Sequence, residues 1–530
     1  MGGDTFQICK GRLDAVFSMD WRWYPVSSVF GKGVGRLCGV LAAPTSRELR
    51  SLLAQALRET PTAEIRLDWL KSDRERQAFL RWLKAHRPRK AQLIATCRRR
   101  IGGGEFAGDA GEELYWLMQA KEAGCAWCDL EVETLRELPG KSVRGYAVPE
   151  KVLLSMHDFR KTPAFPKKLT VPDGGGANAI KVAAMARSLM DGARILRLAR
   201  TSRDVVAVAM GEIGLPARVL ALREGSALAY APVAAATAPG QIPLHDLKAL
   251  YRAHELTRAT QVFGVIGNPV GHSLSPLLHN TGYIAARKDA VYLPFLVEKL
   301  KDFLKALPDF GVRGFSVTLP YKEKIFAHLD DVEPLAEKIG AVNTVTVRRG
   351  GSLHGSNTDY VGILRALEKK MKLPGSRVAI YGAGGSARAA AFALAQAGAQ
   401  VFVCARRPEA ARKLAKAAGG EPIDRAELRR LEFDALLNAT PIGMFPQEKV
   451  SPLAAAELNC SLVMDLIYRP IRTKLLRLAA SRKLACVSGV EMFLAQGFAQ
   501  WEHWMGSKAP ESKMRNAVLR ALKNEENTRW

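Results

Sequence analysis

The glycine run Gly382-Ala-Gly384-Gly385-Ser386-Ala387 sits between an apolar stretch, VAIY, and an Ala-rich one, RAAAFALAQAG. Glycines at that spacing let a chain turn tightly from strand to helix. They also let its backbone approach a pyrophosphate at the helix N-terminus. Alone the spacing is weak, but a second strand-like run, VFVCA, follows at the right distance. It ends in Ala405-Arg406-Arg407, where an NAD-binding chain usually carries an acid for the ribose hydroxyl. Guanidinium groups suit a 2′-phosphate, so the expected cofactor is NADP(H). A solvated arginine pair in a loop would explain the charges but not their position.

Other stretches put reactive side chains in unusual company. Lys181 lies in ANAIKVAA, an apolar strand-like run. A buried amine there is poorly solvated as an ammonium, so its pKa falls, and a neutral amine can form a Schiff base with a ketone. An isolated lysine in such a run more often snorkels outward. His157 closes the run LLSMHDF, and an imidazole both takes and returns protons near neutral pH. GHSLSP places Ser273 and Ser275 just before a helix start. Two hydroxyls can bind a carboxylate, or one can be only an N-cap. VTLPYKEK puts Lys322 past a strand, and SNTD puts Asp359 before a helix. Cys125-Ala-Trp-Cys128 is a lone CxxC at the start of a strand-like run. Buried reduced thiols are expected there, and no metal site is expected.

These residues need elements to hold them. From Arg36 to about Ala234, the runs RLCGVLAA, AEIRLDWL, AQLIATCR, WCDLEVE, KVLLSMHD, AIKVAA, VVAVAMGE and LAYAPVA alternate with helical patterns such as Ser46–Arg58, Arg74–His86 and Gly111–Gly124. That order suggests an N-terminal (β/α)8 barrel, although the connection from the fourth run to the fifth is poorly helical. His157 would then stand near the C-terminal end of the fifth strand, where barrels carry their chemistry, beside Lys181 on the sixth. Leu244–Thr260 reads as a last helix and linker. A second βα series starts at QVFGVIGNP and includes a hairpin turning at Gly350-Gly351. The glycine run then opens a Rossmann unit, and a helical tail from Gly489 packs back on the 261–360 region. The fold class is α/β, a barrel followed by a two-lobed α/β half with a Rossmann unit.

The formal charge is +26, from 78 Lys and Arg against 52 Asp and Glu. The basic residues are scattered, the longest run being Arg98-Arg99-Arg100, and no nucleic-acid module is legible. A basic surface with sites for anionic small molecules is the reading. Eight cysteines in 530 residues make no disulfide framework. No apolar run reaches the roughly 18 residues of a membrane span, and residues 1–35, an extension of unknown role, lack a secretory h-region. A cytoplasmic enzyme is expected, with small-molecule substrates, no nucleic-acid or membrane partner, and an open oligomeric state.

The pieces NPVGHSLSP, SVTLPYKE, GAVNTV, GSNTDYVG, GAGGSARA, NATPIGM, DLIYRP and GVEMFLAQG run in order from about 262 to 505. They closely resemble shikimate dehydrogenase. The resemblance implies that Lys322 and Asp359 form the catalytic pair and that Ser273 and Ser275 hold the substrate carboxylate, with Tyr468 nearby. It places Thr318, Asn343 and Gln496 on ring hydroxyls. Asn438, Thr440 and Gly489 would line the cofactor cleft with the glycine run. The family often has Asn-Arg-Thr where this chain has Ala405-Arg406-Arg407.

The front half carries EIRLD, ATCRRRIGGG, LLSMHDFRKTP, IKVA, MGEIGLPAR and ATAPGQI between about 36 and 250. It resembles type I 3-dehydroquinate dehydratase. That implies Lys181 as the Schiff-base lysine and His157 as general acid/base. Glu64, Arg66, Arg98, Met210, Tyr230, Thr237 and Gln241 would surround the substrate, with Arg218 on its carboxylate. Many members carry an acid four places after the Arg98 position, which orients the histidine; here that place is Gly102. Tyr230 and Thr237 stand where Phe and Ser are common. The dehydratase makes the ketone that the dehydrogenase reduces, so the expectation is a bifunctional shikimate-pathway enzyme. The alternatives are a shikimate or quinate dehydrogenase with an inactive or slow barrel, and a non-catalytic metabolite-sensing regulator. The expected domains are 36–252 for the barrel, 261–373 with about 490–525 for the substrate lobe, and 374–489 for the NADP lobe.

Overall fold

A computed structural model describes residues 33–143, 145–166, 169, 176–202, 204–234 and 240–528. Two compact units emerge. One takes the described residues up to Thr260 with Val297–Phe310; the other takes Gln261–Leu296 and the chain from Gly311.

The first unit is built on eight strands: β1 (Leu37–Leu41), β2 (Thr62–Arg66), β3 (Gln92–Thr96), β4 (Trp127–Glu131), β5 (Lys151–Asp158), β6 (Ala179–Met185), β7 (Val205–Met210) and β8 (Ala229–Pro232). All neighbours in the order β7-β6-β5-β4-β3-β2-β1-β8 pair in parallel. The gap between β7 and β8 is bridged by Ala227 N–H, which donates to the Val205 carbonyl at 2.8 Å. The sheet is therefore a nearly closed barrel, as the eight runs suggested. Cys38, Ile94, Trp127, Leu153, Ala179, Val206 and Leu228 form one buried layer inside it. Helices start where the sequence offers caps. Thr45 caps Ser46–Glu59, and full capping boxes at Asp109 and Ser188 open Ala110–Glu122 and Leu189–Thr201. The weak fourth connection is a six-residue helix, Val132–Glu137, and a short 3-10 turn.

The second unit holds two sheets. The first is mixed, in the order β10-β9-β11-β13-β14-β12. Its strands are β9 (Gln261–Gly267), β10 (Ala290–Leu296), β11 (Val312–Val317), β12 (Asp331–Val332), β13 (Thr344–Val347) and β14 (Leu353–Ser356). β13 and β14 form the expected antiparallel hairpin. Gly350 and Gly351 both have positive φ, 88° and 92°, as a tight hairpin turn requires. The second sheet is all parallel, with β15 (Arg377–Tyr381), β16 (Gln400–Cys404), β17 (Glu421–Pro422), β18 (Phe433–Asn438), β19 (Cys460–Asp465) and β20 (Ala485–Val487) in the order β17-β16-β15-β18-β19-β20. This is the doubly wound order, whose direction reverses between β15 and β18, the place where such sheets bind ligands.

The tail behaves as expected. Val490, Phe493, Leu494 and Trp501 of helix Gly489–Met505, with Met514 and Val518 of Glu511–Thr528, share one core with Phe263, Val265, Leu278 and Tyr283. Helix Asp359–Glu368 crosses the tail helix closely. A Cβ at Gly362 would stand 2.7 Å from the Met492 carbonyl oxygen and 3.0 Å from Gln496 Cβ.

Candidate active sites

Parallel strands covered on both faces normally read as near-continuous apolar runs. The barrel breaks that rule on one patch. Lys181 on β6 is buried, and its Nζ donates to Asp129 Oδ2 at 2.8 Å and Glu64 Oε1 at 3.3 Å. Its environment is thus ionic, not the apolar one its own strand suggests. Ser155 Oγ donates to Asp129 Oδ1 at 2.5 Å, and Thr96 Oγ1 to Glu64 Oε1 at 2.9 Å. The Lys181 ammonium lies 4.0 Å from the Tyr230 ring centroid, within cation–π range. Burial opposes ionisation of Asp129, yet Lys181, Arg98 and His157 hold its carboxyl well below the ordinary carboxylate range.

His157 is brought to the same patch. β5 and β6 pair with Ser155 opposite Lys181 and His157 opposite Ala183, so the two candidate catalytic residues sit two positions apart on adjacent strands. His157 Nδ1 is 3.1 Å from Glu131 Oε2, and its ring stacks on Phe159 with centroids 5.8 Å apart. Burial lowers the imidazole pKa and Arg98 lowers it further, against Glu131. Arg98 donates Nε to Glu131 Oε1 at 2.5 Å. Its Nη2, 3.6 Å from Asp129 Oδ2, makes no hydrogen bond within the described residues, and neither does the Tyr230 hydroxyl.

The remaining barrel candidates are more dispersed. Arg66 forms a two-point pair with Asp68 at 2.9 and 2.7 Å. Arg218 is buried without an acidic partner among the described residues. It donates to the Ala209 and Gly240 carbonyls, and burial lowers its pKa to about 10. Met210 ends β7 half-buried, and Gln241 is half-buried one residue beyond Gly240. Thr237 and residues 1–32 lie outside the described residues.

In the second unit Lys322 Nζ donates to Asp359 Oδ2 at 2.5 Å. Asp359 opens its helix but does not cap it; its Oδ1 accepts from Asn343 Nδ2 at 2.8 Å. Asn343 Oδ1 in turn accepts from Thr358 N–H and Thr344 Oγ1 at 2.7 and 2.8 Å. The pair is therefore held from behind by a buried amide. Thr318 follows β11 half-buried. Ser273 Oγ accepts from Ser275 N–H at 3.2 Å, and Ser275, the first residue of helix Ser275–Ala285, is buried. Tyr468 stacks on Phe493 with centroids 4.8 Å apart, and Gln496 donates to the Phe493 carbonyl at 2.9 Å.

The glycine run follows β15 as expected. Gly382 has φ 131°, and a Cβ there would come 2.8 Å from the Ala439 carbonyl oxygen. At Gly384 and Gly385 a Cβ would meet nothing within 4 Å, so an open cradle faces the N-terminus of helix Gly385–Gln396. Ser386 lies in the first turn, and Ala387 is fully buried. Arg406 and Arg407, just past β16, are exposed, with no acidic partner among the described residues. These features fit a phosphorylated dinucleotide. Asn438 and Thr440 build the neighbouring turn: Asn438 Oδ1 accepts from Thr440 N–H and Oγ1 at 3.0 and 2.7 Å. Gly489 is a packing contact, where a Cβ would meet the Ile467 carbonyl carbon at 2.4 Å.

The type I 3-dehydroquinase family model matches residues 37–258. The shikimate dehydrogenase substrate binding domain matches 265–345, and the shikimate 5'-dehydrogenase C-terminal domain 489–519. The chloroplastic bifunctional 3-dehydroquinate dehydratase/shikimate dehydrogenase of Arabidopsis thaliana is 34% identical over 478 residues, covering 84% of this chain and 78% of the plant protein. The chain belongs to that bifunctional family. The NADP(+) shikimate dehydrogenase of Methanothermobacter thermautotrophicus is 40% identical, over 51% of this chain and its own full length. A crystal structure of shikimate 5-dehydrogenase from Thermus thermophilus with NADP(H) and shikimate is 37% identical, covers 49% of this chain and 100% of its own, and has a TM-score of 0.46.

In this member of the bifunctional family, several side chains at the two sites escaped sequence reasoning. Asp129 and Glu131 alternate on β4, whose five residues are all buried. Two acids at i and i+2 on a buried strand were the available signal, because unpaired charge is not tolerated there. Tyr292, Ser316 and Gln500 form a buried chain, 2.5 and 2.8 Å long at its two links, and no local pattern marks it. The basic run resolves into structure: Arg98 pairs with Glu131, and Arg99 with Glu113 and Glu137. Cys125 and Cys128 are buried free thiols, and burial pushes Cys125 up to about 12.

Proposed function

We propose that the chain dehydrates 3-dehydroquinate to 3-dehydroshikimate in the barrel and reduces that product to shikimate in the second unit. The observation that carries the reading is that each unit has its own lysine bound to a buried carboxylate: Lys181 with Asp129, and Lys322 with Asp359.

In the barrel, the Lys181 amine adds to the C3 ketone and water leaves, giving an iminium. The iminium withdraws electrons and acidifies the C2 proton, which His157 removes. The enamine expels the C1 hydroxyl as His157 returns that proton to the leaving oxygen. Hydrolysis of the product iminium restores the Lys181 amine. Arg218, a buried cation with no acidic partner among the described residues, suits the substrate carboxylate. Arg98 Nη2 and the Tyr230 hydroxyl offer unmet polar groups to a polyhydroxylated ring. By resemblance to the family, Glu64, Arg66, Met210, Thr237 and Gln241 would also contact the substrate.

In the second unit, Lys322 gives a proton to the alkoxide while its ammonium stabilises the developing charge. Asp359 holds that ammonium in place, and Asn343 fixes Asp359. Ser273, Ser275 and Tyr468 take the carboxylate; Thr318, Asn343 and Gln496 take ring hydroxyls. The glycine cradle would hold the pyrophosphate of NADP(H), with Arg406 and Arg407 on its 2′-phosphate and Asn438, Thr440 and Gly489 shaping the cleft. Bound there, NADPH supplies the hydride for carbonyl reduction.

The domain boundaries that follow are 36–252, 261–373 with about 490–525, and 374–489. The partners are small molecules, without nucleic acid or membrane. No helix of the described residues is long and apolar enough to cross a membrane. The described cysteines are free thiols, which suits a reducing compartment, and we place the enzyme in the cytoplasm. The test is NADPH absorbance with 3-dehydroquinate as the sole substrate. Steady loss is expected. Loss only after 3-dehydroshikimate is added would leave the dehydrogenase and remove the barrel's activity.

A further inference from the structure

The turn after β3 carries a glycine at position 102, and the space a side chain would need there is taken. A Cβ on Gly102 would stand 2.9 Å from Glu131 Cγ and 3.3 Å from its Cδ. Gly102 does not lie in the left-handed region, so crowding by Glu131, not backbone strain, disfavours a side chain. Glu131 is buried at the end of β4, and its two oxygens are divided. Oε1 accepts from Arg98 Nε at 2.5 Å, and Oε2 meets His157 Nδ1 at 3.1 Å.

We infer that Glu131 is the positioning residue for His157, and that Gly102 is required because it leaves room for the Glu131 side chain. The inference rests on the dehydratase reading of the barrel. It also explains how this chain can lack an acid at 102 and still orient its histidine. A carboxylate on Nδ1 fixes the tautomer with the proton on that nitrogen, leaving Nε2 as the base. Phe159 stacked on the ring restricts its tilt.

Electrostatics give Glu131 a second task. The charged groups acting on His157 are Arg98 from the turn after β3, Asp129 and Glu131 from β4, and Lys181 from β6. When His157 takes the C2 proton, it becomes a cation in a pocket that already holds Arg98 and Lys181. Glu131 touches the ring and offsets that repulsion. Without it, the imidazolium is disfavoured further and the acid limb of the pH profile moves to lower pH.

The test uses the full chain and four variants: Glu131→Gln, Glu131→Ala, Gly102→Glu, and the double Gly102→Glu with Glu131→Ala. Dehydratase kcat, KM and pH profile are measured by the absorbance of the enone product. Reduction of 3-dehydroshikimate in the other unit standardises enzyme concentration, and thermal melting of each variant followed by circular dichroism reports that its barrel, a separate compact unit, has folded. Both Glu131 variants should lose kcat on the order of 10²-fold, part of what a general base contributes, with little change in KM. In Glu131→Gln the acid limb should shift down. Gly102→Glu alone should also lose activity, because two side chains compete for one space. The double variant should regain at least about tenfold over Glu131→Ala, because a carboxylate then returns to the same place. An unchanged kcat and pH profile in Glu131→Gln would overturn the inference. So would a loss in Glu131→Ala that the double variant does not recover, which would mark Glu131 as support for Arg98 alone. Borohydride tagging of Lys181 in the unaltered chain separates the two failures. If tagging and dehydration are both absent, the dehydratase reading falls. If both are present while Glu131→Gln is unaffected, only the positioning role falls.

Discussion

Replacing Lys322 by alanine should cost the dehydrogenase its turnover while leaving substrate affinity nearly intact. Lys322 Nζ stands 2.5 Å from Asp359 Oδ2, and its side chain is 21% exposed, so the ammonium still reaches the open side of the pair. A positioned general acid contributes roughly 10²–10⁴-fold. A lost donor to a developing oxyanion costs about 2.7–4 kcal/mol, roughly 10²–10³-fold. One group supplies both effects, so they overlap instead of multiplying, and a kcat loss near 10³-fold is expected. Asp359 keeps Asn343 Nδ2 at 2.8 Å after the change, so the carboxylate is not stranded and the turn should hold. KM should stay within about threefold, because the proposed substrate contacts of Ser273, Ser275 and Thr318 do not involve Lys322. The assay is NADPH absorbance with 3-dehydroshikimate, with barrel activity as the internal standard. A kcat within threefold of the unaltered chain, or a loss carried entirely by KM, would refute the reasoning.

Borohydride with 3-dehydroquinate should add substrate mass to the Lys181 peptide, and Lys181→Ala should abolish both the tag and dehydration while reduction continues. The barrel's kcat/KM should hold its plateau to below the ordinary imidazole value of 6.5 before falling in acid. His157 must be neutral to accept a proton, and burial lowers its pKa; a limb above 6.5 would contradict this. Changing Arg406 and Arg407 to alanine should weaken NADPH but not NADH, by about 1.5–3 kcal/mol per lost charge-assisted bond, roughly tenfold or more in kcat/KM. Equal losses for both cofactors would remove these arginines from 2′-phosphate recognition. Gly489→Ala should lower thermal stability of the second unit by roughly 1–3 kcal/mol, because its Cβ would overlap the Ile467 backbone; an unshifted melting curve would count against that contact.

What the sequence alone determined was local in origin. Eight strand-like runs became β1–β8, because alternation of apolar runs with capped helices is enough to specify a parallel barrel. Gly350-Gly351 and Gly382 were legible because positive φ at those turns favours one residue type. Lys181 stood out as a charge in an apolar run and His157 as an imidazole closing another, whereas Lys322 and Asp359 were marked as a pair only by the resemblance to shikimate dehydrogenase. The tertiary structure decided which charges meet. Glu64 and Lys181 are 117 residues apart and 3.3 Å apart in space, a pairing that no spacing rule encodes. It also decided that an acid on β4 occupies the space left by a glycine after β3. From the sequence, Gly102 could be read only as a missing carboxylate. Packing shows the space filled by Glu131, because exclusion between side chains depends on neighbouring strands and not on neighbouring residues.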